Sequence, residues 1–244
     1  MTDPALQFSR VVKSYGSGEA EVRALDGVDL EVAQGEFVAV MGPSGCGKST
    51  LLHLAGGLED PTAGAVFAHG RDLSTLDAAG RAALRRNDVG IVFQRLNLVA
   101  SLTAIENVAL PLELGGMRAR EARPLAVAAL EAVGLRQQLD RYPDHFSGGQ
   151  QQRIAIARAI VGGRSILLAD EPTGALDSRT ADEVVELLAG LPAASGTTVV
   201  LVTHEPRFAS WADRVVFMRD GAVVDQTRST PASPPAAPDP EMVN

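Results

Sequence analysis

The chain has 244 residues, 45% of them hydrophobic, which is typical of a globular protein with one substantial domain or two small ones. Its 22 Lys and Arg against 30 Asp and Glu give a net charge of −8, which argues against a nucleic-acid-binding surface. The single cysteine, Cys46, excludes a disulfide within the chain and gives no zinc-ligand cluster. No apolar run is long enough to cross a bilayer, and the N-terminus lacks a secretory pattern, so we expect any membrane role to depend on a partner.

The first third of the chain predicts a small antiparallel β layer. Residues 6–12, 22–24 and 28–32 alternate between apolar and polar side chains and are separated by turn residues. After this region, short apolar runs alternate with longer helical patterns, which indicates an α/β domain with a mainly parallel sheet. The strands predicted for this sheet are residues 37–41, 89–93, 166–169, 198–202 and 215–218.

The loop after the strand at 37–41 reads GPSGCGKST and predicts a phosphate-binding site. It fits G-x-x-x-x-G-K-[ST] between an apolar strand and a helix, which is the context of a P-loop NTPase core. Backbone amides would hold phosphate oxygens, Lys48 would reach the terminal phosphates, and the Ser49 hydroxyl would bind Mg²⁺. A chance glycine turn is the alternative, and we interpret Cys46 as a small filler. The predicted nucleotide-binding residues here are Gly42, Pro43, Ser44, Gly45, Cys46, Gly47, Lys48, Ser49 and Thr50.

The middle of the chain predicts a helical insertion, assigned to residues 97–162. Residues 123–133 carry apolar side chains at helical spacing and precede Gly134, a common C-terminal cap. Further along, FSGGQQQRIAIARAI contains Ser147 as an N-cap candidate, followed by Gly148, Gly149 and Gln150. A helix that starts with exposed glycine amides is a second anion site, although it could simply be a capped helix with a loose entry.

A second half of the site is predicted at SILLADEP, where a buried strand ends at two carboxylates. Because ligands bind at the carboxyl ends of strands in α/β sheets, Asp170 and Glu171 would face the crevice. Asp170 would hold Mg²⁺ and Glu171 would polarise the attacking water if the strand ends between them. The alternative is a pair of solvated acids.

The C-terminal part of the chain predicts a hairpin and then a tail. Asp220 and Gly221 lie between two β-rich segments, the second ending near Gln226, which indicates a two-residue turn. Residues 229–244 are rich in Pro and Ala and poor in large apolar side chains, so we expect a disordered tail after a single domain of residues 1–228.

Together, GPSGCGKST, FSGGQ, LADEP and ALDS resemble the motifs of ATP-binding-cassette ATPases, in the family's order and over nearly all of the chain to about Gln226. The resemblance implies further roles for single residues. Gln94 would touch Mg²⁺ or the water, His204 would contact the γ-phosphate and hold Glu171, Asp177 would face a partner subunit, and Tyr15 would stack on adenine. A structural role remains the alternative for His204, and a core or surface position for Tyr15.

The same resemblance implies a head-to-tail dimer with two ATP molecules between the signature of one copy and the phosphate loop of the other. Longer stretches are similar to the MacB, LolD and FtsE type, which implies an FtsX/MacB-like integral membrane permease as partner and a location at the cytoplasmic face of the inner membrane. Residues 95–103, including Leu98 and Leu102, would line the groove for that permease, unless they belong to the core. The sequence departs from the family at Phe146 and Ala175.

Other classes fit the residues less well. A soluble ABC ATPase that acts on DNA would have a long coiled coil between its halves, and one that acts on ribosomes would usually carry two cassettes. A metabolic kinase would explain Lys48 but not the SGGQ stretch or His204. We expect no nucleic-acid partner. His53, His69, His145 and Trp211 are interpreted as structural or surface groups.

Overall fold

The computed structural model describes residues 3–228 of the chain, and the predicted tail at 229–244 lies outside the described residues. The strands are β1 (Leu6–Tyr15), β2 (Val22–Val32), β3 (Phe37–Met41), β4 (Ala63–Ala68), β5 (Arg71–Asp72), β6 (Val89–Val92), β7 (Ile166–Asp170), β8 (Thr198–Val202), β9 (Arg214–Arg219) and β10 (Ala222–Arg228). The helices are α1 (Lys48–Ala55), α2 (Ala78–Asn87), α3 (Ala104–Leu114), α4 (Ala119–Ala132), α5 (Gly148–Ile160), α6 (Ser178–Ser195) and α7 (Pro206–Ala209).

These strands form two sheets, as the pattern predicted. The central sheet has the order β10-β9-β3-β8-β7-β6, and every pair in it is parallel except β10 with β9. The second sheet is fully antiparallel, in the order β2-β1-β4-β5. The expected α/β class, with a mainly parallel sheet, an antiparallel layer and a helical insertion, is therefore confirmed.

The antiparallel layer differs from the prediction in two ways. Residues 22–24 and 28–32 belong to one continuous strand, β2, because Gly27 at φ +71 lets the chain pass a bulge without leaving the pairing with β1. The strands β4 and β5 were missed, since their small side chains and short lengths give little alternation. Smaller differences concern the strand predicted at 89–93, which ends at Val92, and the last strand, which reaches Arg228.

The core lies on both faces of the central sheet. Successive strand residues point to opposite faces of the sheet. Val38 and Val40 therefore pack toward α1 and the antiparallel layer, whereas Phe37 and Ala39 pack on the side of α3, α5 and α6. All four are at most 2% exposed. Burial on both faces explains the nearly continuous apolar runs of the parallel strands. Among the described residues, no helix is both long and apolar enough to span a membrane.

Helix ends follow the predicted signals. After α4, Gly134 adopts φ +77 while its amide and that of Leu135 donate to carbonyls of the last turn, which ends the helix as expected. Between β9 and β10, Asp220 and Gly221 adopt φ +49 and +79, as a two-residue hairpin turn requires.

A close approach between β6 and α5 connects the sheet to the helical part. A Cβ placed on Gly90 would lie 1.9 Å from the Ala159 carbonyl oxygen, which is backbone and cannot move aside. We therefore expect Gly90→Ala to destabilise the protein by about 2–3 kcal/mol, as an overpacked core site does. Gly190→Ala on the exposed face of α6 has no heavy atom within 4 Å and should stabilise by up to about 1 kcal/mol.

Thermal unfolding of both variants beside the parent chain tests this pair. A lower Tm for Gly90→Ala with an unchanged or higher Tm for Gly190→Ala is the expected result. Equal effects of the two substitutions would contradict the role of close packing at Gly90.

Candidate nucleotide-binding and hydrolytic site

The predicted site residues lie at the carboxyl ends of four neighbouring parallel strands of the central sheet. In the register of this sheet, Val202 of β8 pairs with both Val40 of β3 and Asp170 of β7. On the outer side, Val92 of β6 pairs with Ala169. The phosphate loop follows β3, the acidic pair ends β7, His204 follows β8, and Gln94 follows β6. The four strands, which are far apart in sequence, therefore end at about the same height along the strand direction.

The phosphate loop is shaped by glycine at its junction with α1. Gly47 precedes this helix at φ +103, and a Cβ there would lie 2.2 Å from the Ala24 carbonyl oxygen. Residues 43–45 are exposed, while Cys46 is 4% exposed and belongs to the core, which agrees with its interpretation as a filler. Lys48 is 6% exposed, and its Nζ donates to the carbonyl oxygens of Gly42 and Pro43 at 2.8 and 2.9 Å.

The strand β7 ends between the two acids, as the proposed use of both carboxylates requires. Asp170 is its last residue, and Glu171 adopts φ +44, a left-handed conformation that a non-glycine residue rarely takes. This turn redirects Glu171 so that its Oε1 lies 3.3 Å from Nδ1 of His204. The Glu171 amide still donates to the Val202 carbonyl oxygen at 3.0 Å, which fixes the turn to β8. Backbone strain of this kind concentrates at functional sites.

Gln94 and Glu171 both lie next to Gly174. A Cβ on Gly174 would lie 3.8 Å from both the Gln94 Nε2 and the Glu171 Oε2. The two side chains therefore border the same small space at the sheet edge. Gln94 itself is exposed in the loop after β6.

Asp170 has a side-chain oxygen that is suited to bind a cation. Its Oδ1 is buried and has no hydrogen-bond partner among residues 3–228. Burial raises the pKa of this carboxyl and the Glu171 charge adds to that effect, while the neighbouring Ser49, His53 and Lys48 oppose it. An unpaired buried carboxylate is costly unless a cation meets it.

These donors fit Mg²⁺. A carboxylate and a hydroxyl are hard oxygen ligands, and Mg²⁺ commonly takes one or two protein ligands beside phosphate and water. Within the described part of the chain, no group of three or more His, Cys, Asp and Glu side chains forms a metal site, so a dedicated all-protein cage is absent there.

Tyr15 lies in a hydrogen-bonded cluster that the sequence did not reveal. Its hydroxyl donates to Glu59 Oε2 at 2.7 Å, and Glu59 also contacts Lys13 at 3.1 Å and His53 Nδ1 at 3.1 Å. Burial raises the pKa of the Tyr15 phenol, Thr50 opposes the rise and Glu59 adds to it. The ring remains 40% exposed. Glu59 is 44 residues from Tyr15, so no local pattern could have identified it.

The segment FSGGQ at residues 146–150, here called the signature stretch, contains a capping box. The Ser147 hydroxyl accepts from the Gln150 amide, and the Gln150 side chain accepts from the Ser147 amide. A Cβ on Gly149 would lie 2.0 Å from Thr180 Cγ2, so this helix start packs tightly on α6. Asp177 is the N-cap of α6, because its carboxylate accepts hydrogen bonds from the Thr180 amide and hydroxyl.

The phosphate loop and the signature stretch therefore pack in different places. Glycines of the phosphate loop adjoin Ala24 and Met218, whereas Gly148 and Gly149 adjoin Leu176 and Thr180. Phe146 is 6% exposed and belongs to the core of the helical part, so this departure from the family pattern affects packing.

The remaining polar residues have structural contacts. Arg153 pairs with Glu183 at 2.6 Å, and Arg158 donates to main-chain carbonyl oxygens instead of to an acid. His69 contacts the Ser165 hydroxyl at 2.7 Å. His145 and Trp211 are exposed.

One family model and several proteins of known name match the sequence of this chain. The family model described as ABC transporter matches residues 25–174. The macrolide export ATP-binding/permease protein MacB of Hyphomonas neptunium is 46% identical over 98% of this chain and 37% of its own length. The MacB 1/2 protein of Paracoccus denitrificans is 47% identical over 95% of this chain and 35% of its own length. The chain thus spans a little over a third of these relatives.

Solved structures resemble the chain over nearly its whole length. A dimeric, post-hydrolysis structure of the ATP-binding cassette MJ0796, bound to ADP and Pi, has a TM-score of 0.84 at 41% identity. It covers 91% of this chain and 98% of that one. The cbiO1 protein of Clostridium perfringens, part of the cbiONQ transporter complex, has a TM-score of 0.83 at 28% identity, over 93% of this chain and 89% of that one.

The raised pKa of Asp170 makes a stability prediction. Because folding disfavours its ionised form, the neutral isostere in Asp170→Asn should raise Tm at pH 7 in metal-free buffer, by about 2–4 °C per ~1 kcal/mol gained. The gain should shrink as the pH falls toward about 4, where the parent carboxyl takes up its proton in both states.

Glu36→Gln is the matched control with the opposite sign. Burial opposes ionisation of Glu36, but hydrogen bonds from Arg214 and the Ala33 amide outweigh it and lower its pKa. Glu36 therefore stabilises the fold at neutral pH, and the effect is lost as the pH falls through its lowered pKa. A Tm drop for Asp170→Asn similar to that for Glu36→Gln would contradict the assigned cost of the buried Asp170 carboxylate.

Proposed function

This chain belongs to the ABC transporter family, and we propose that it is the ATP-hydrolysing subunit that drives an FtsX/MacB-like membrane permease. It is an ABC-type ATPase. The observation that supports its chemistry most strongly is the convergence of the phosphate loop, the acidic pair, His204 and Gln94 at one sheet edge. The relatives named ATP-binding/permease proteins are much longer than this chain. We therefore assign the permease role to sequence outside these 244 residues.

We assign hydrolysis to in-line attack of water on the γ-phosphate of ATP. Lys48 and the amides of the phosphate loop stabilise the negative charge that develops there, which is where most catalysis in phosphoryl transfer originates. Glu171 accepts the proton of the attacking water, and His204, 3.3 Å from it, holds its carboxylate in place. Ser49, Asp170 and Gln94 would hold Mg²⁺, and its positive charge would then lie beside the phosphates.

The complete site needs a second copy of the chain. In this proposal Ser147, Gly148, Gly149 and Gln150 of one subunit close over ATP on the phosphate loop of the other, with Asp177 at the contact. The dimeric MJ0796 structures support this arrangement. So does the packing of the two anion-binding helix starts on different parts of the chain. Tyr15 would stack on the adenine base.

The permease would bind from the membrane side and hold the cassette at the cytoplasmic face. In this proposal the segment 95–103 would contribute to the permease surface through Asn97, which lines a groove of about 360 Å³. Leu98 instead packs against the core, so for that residue the core alternative is favoured. A second function, action on ribosomes or DNA without a permease, has no specific structural feature in its favour.

Replacement of Glu171 tests the hydrolytic assignment. Glu171→Gln keeps the size and the turn but removes the base, so steady-state ATPase activity should fall by about 10²–10⁴ while nucleotide affinity is retained. Glu186→Gln, on the exposed side of α6, is the matched control and should leave both unchanged. Normal turnover by Glu171→Gln would remove Glu171 from its role.

Affinity purification from membranes of the source organism tests the permease assignment. The Glu171→Gln chain, loaded with ATP to hold the dimer closed, should retain a multi-span membrane protein of the FtsX/MacB type, identified by mass spectrometry. Recovery of ribosomes or DNA-associated proteins in its place would leave the ATPase chemistry intact and reject the transporter role.

A further inference from the structure

The second glycine of the signature stretch, Gly149, is buried near the start of α5. It lies within the helix and does not have a positive φ, so its backbone conformation is open to any L residue. Glycine is also less favourable than alanine inside a helix, because its backbone loses more conformational freedom. The absence of a side chain at position 149 therefore has another physical cause.

That cause is a close contact with α6. A Cβ on Gly149 would lie 2.0 Å from Cγ2 of Thr180, 3.4 Å from its Cβ and 3.8 Å from its Oγ1. Only the first of these distances is shorter than a van der Waals contact. A single methyl group of Thr180 thus occupies the space that a side chain at position 149 would need.

The hydroxyl branch of Thr180 holds Asp177. Its Oγ1 donates to Asp177 Oδ2 at 2.7 Å, and its amide donates to Asp177 Oδ1 at 3.1 Å. Thr180 is branched at Cβ, so the orientation that directs the hydroxyl to Asp177 also fixes the direction of the methyl group. One side chain therefore contacts both the signature helix and the acid that caps α6.

Further contacts hold α5 and α6 together on either side of Thr180. In the turn before α6, Leu176 lies beside Gly148, where a Cβ would be 3.4 Å from Leu176 Cδ2. Further along α6, Glu183 pairs with Arg153 of α5 at 2.6 Å. These contacts would have to change if α5 moved away from α6 to admit a side chain at the second glycine.

We propose that Thr180 is a positioning residue of the ATP site that two copies of the chain form. Its methyl group sets the distance between α5 and α6, and thereby the position of the Gly149 amide relative to Asp177. The inference rests on the proposed function, in which both groups face the second copy. It adds that glycine at position 149 is required by packing within one subunit, and not by the space that the nucleotide needs.

The phosphate loop would not be affected by a displacement of α5. Its glycines adjoin Ala24 and Met218, far in sequence from the contact between Gly149 and Thr180. A fault at this contact should therefore reduce turnover and dimer formation without reducing the affinity of a single chain for ATP. A general loss of folded protein would lower all three together.

Moving one methyl group between the two residues tests the contact. Gly149→Ala in the full chain should lower Tm by about 4–8 °C, as an overpacked site does, and reduce ATPase activity by about 10-fold or more. In Gly149→Ala/Thr180→Ser the remaining atoms of residue 180 lie at the ordinary distances of 3.4 and 3.8 Å from the new Cβ. This double variant should recover most of both losses.

Gly149→Ala/Thr180→Val is the matched control. Valine keeps a methyl group in the place of the threonine methyl, so this pair should remain as impaired as Gly149→Ala. Thr180→Ser and Thr180→Val alone measure the separate losses of the methyl and the hydroxyl. Gly148→Ala, whose Cβ would meet the Leu176 side chain at 3.4 Å, should leave Tm nearly unchanged.

Dimer formation is measured in the same substitutions made in the Glu171→Gln chain. Sedimentation with and without ATP reports the dimer, and titration with trinitrophenyl-ATP at low protein concentration reports nucleotide binding by the single chain. Gly149→Ala should reduce the ATP-dependent dimer and retain nucleotide affinity. Gly149→Ala/Thr180→Ser should restore the dimer.

The outcomes separate this inference from the proposed function. If the Glu171→Gln chain without further substitution forms no dimer with ATP, the proposed dimeric site fails and the positioning role fails with it. If that chain dimerises, recovery of Tm without recovery of the dimer and of activity overturns only the role of Thr180, because the added methyl group then obstructs the site directly. Unimpaired Gly149→Ala, no recovery of Tm by the double variant, or equal recovery with Thr180→Val overturns the contact itself.

Discussion

Parallel pairing of β3, β8, β7 and β6 is the constraint on which the site depends. Each of these strands is buried, and their register places Val40, Val202 and Asp170 in line, with Val92 one residue behind. Because the hydrogen bonds fix this register, the loops that follow the strands begin at nearly the same level. A shift of one strand by one residue would displace the proposed catalytic residue that follows it and turn the side chains of that strand to the other face of the sheet.

The free energy of this sheet supports local features that are unfavourable by themselves. Glu171 is held at φ +44, the buried Oδ1 of Asp170 has no hydrogen-bond partner among the described residues, and Lys48 is almost fully enclosed. Backbone strain and an unpaired buried oxygen both cost stability, and in the proposed function a metal ion would supply the partner that the Asp170 oxygen lacks. The conflict between local preference and position is typical of functional sites in a sequence that is otherwise locally consistent.

Arginine side chains in the described part of the chain differ in whether a carboxylate pairs with them. Arg81, Arg153 and Arg214 have acidic partners in the described chain, whereas Arg85, Arg158 and Arg164 donate to main-chain carbonyl oxygens.

By itself, the sequence determined the class of fold, the phosphate loop, the capped signature helix and the strand-end acids, because these depend on short-range spacing and local propensity. Tertiary structure decided that β2 is one strand, that β4 and β5 exist, that Glu59 holds Tyr15, and that Arg85 lies near Arg158. Glu59 and Tyr15 are 44 positions apart, and Arg85 and Arg158 come from different helices. Such contacts arise only when strand order and packing bring distant segments together, and no local pattern encodes that order.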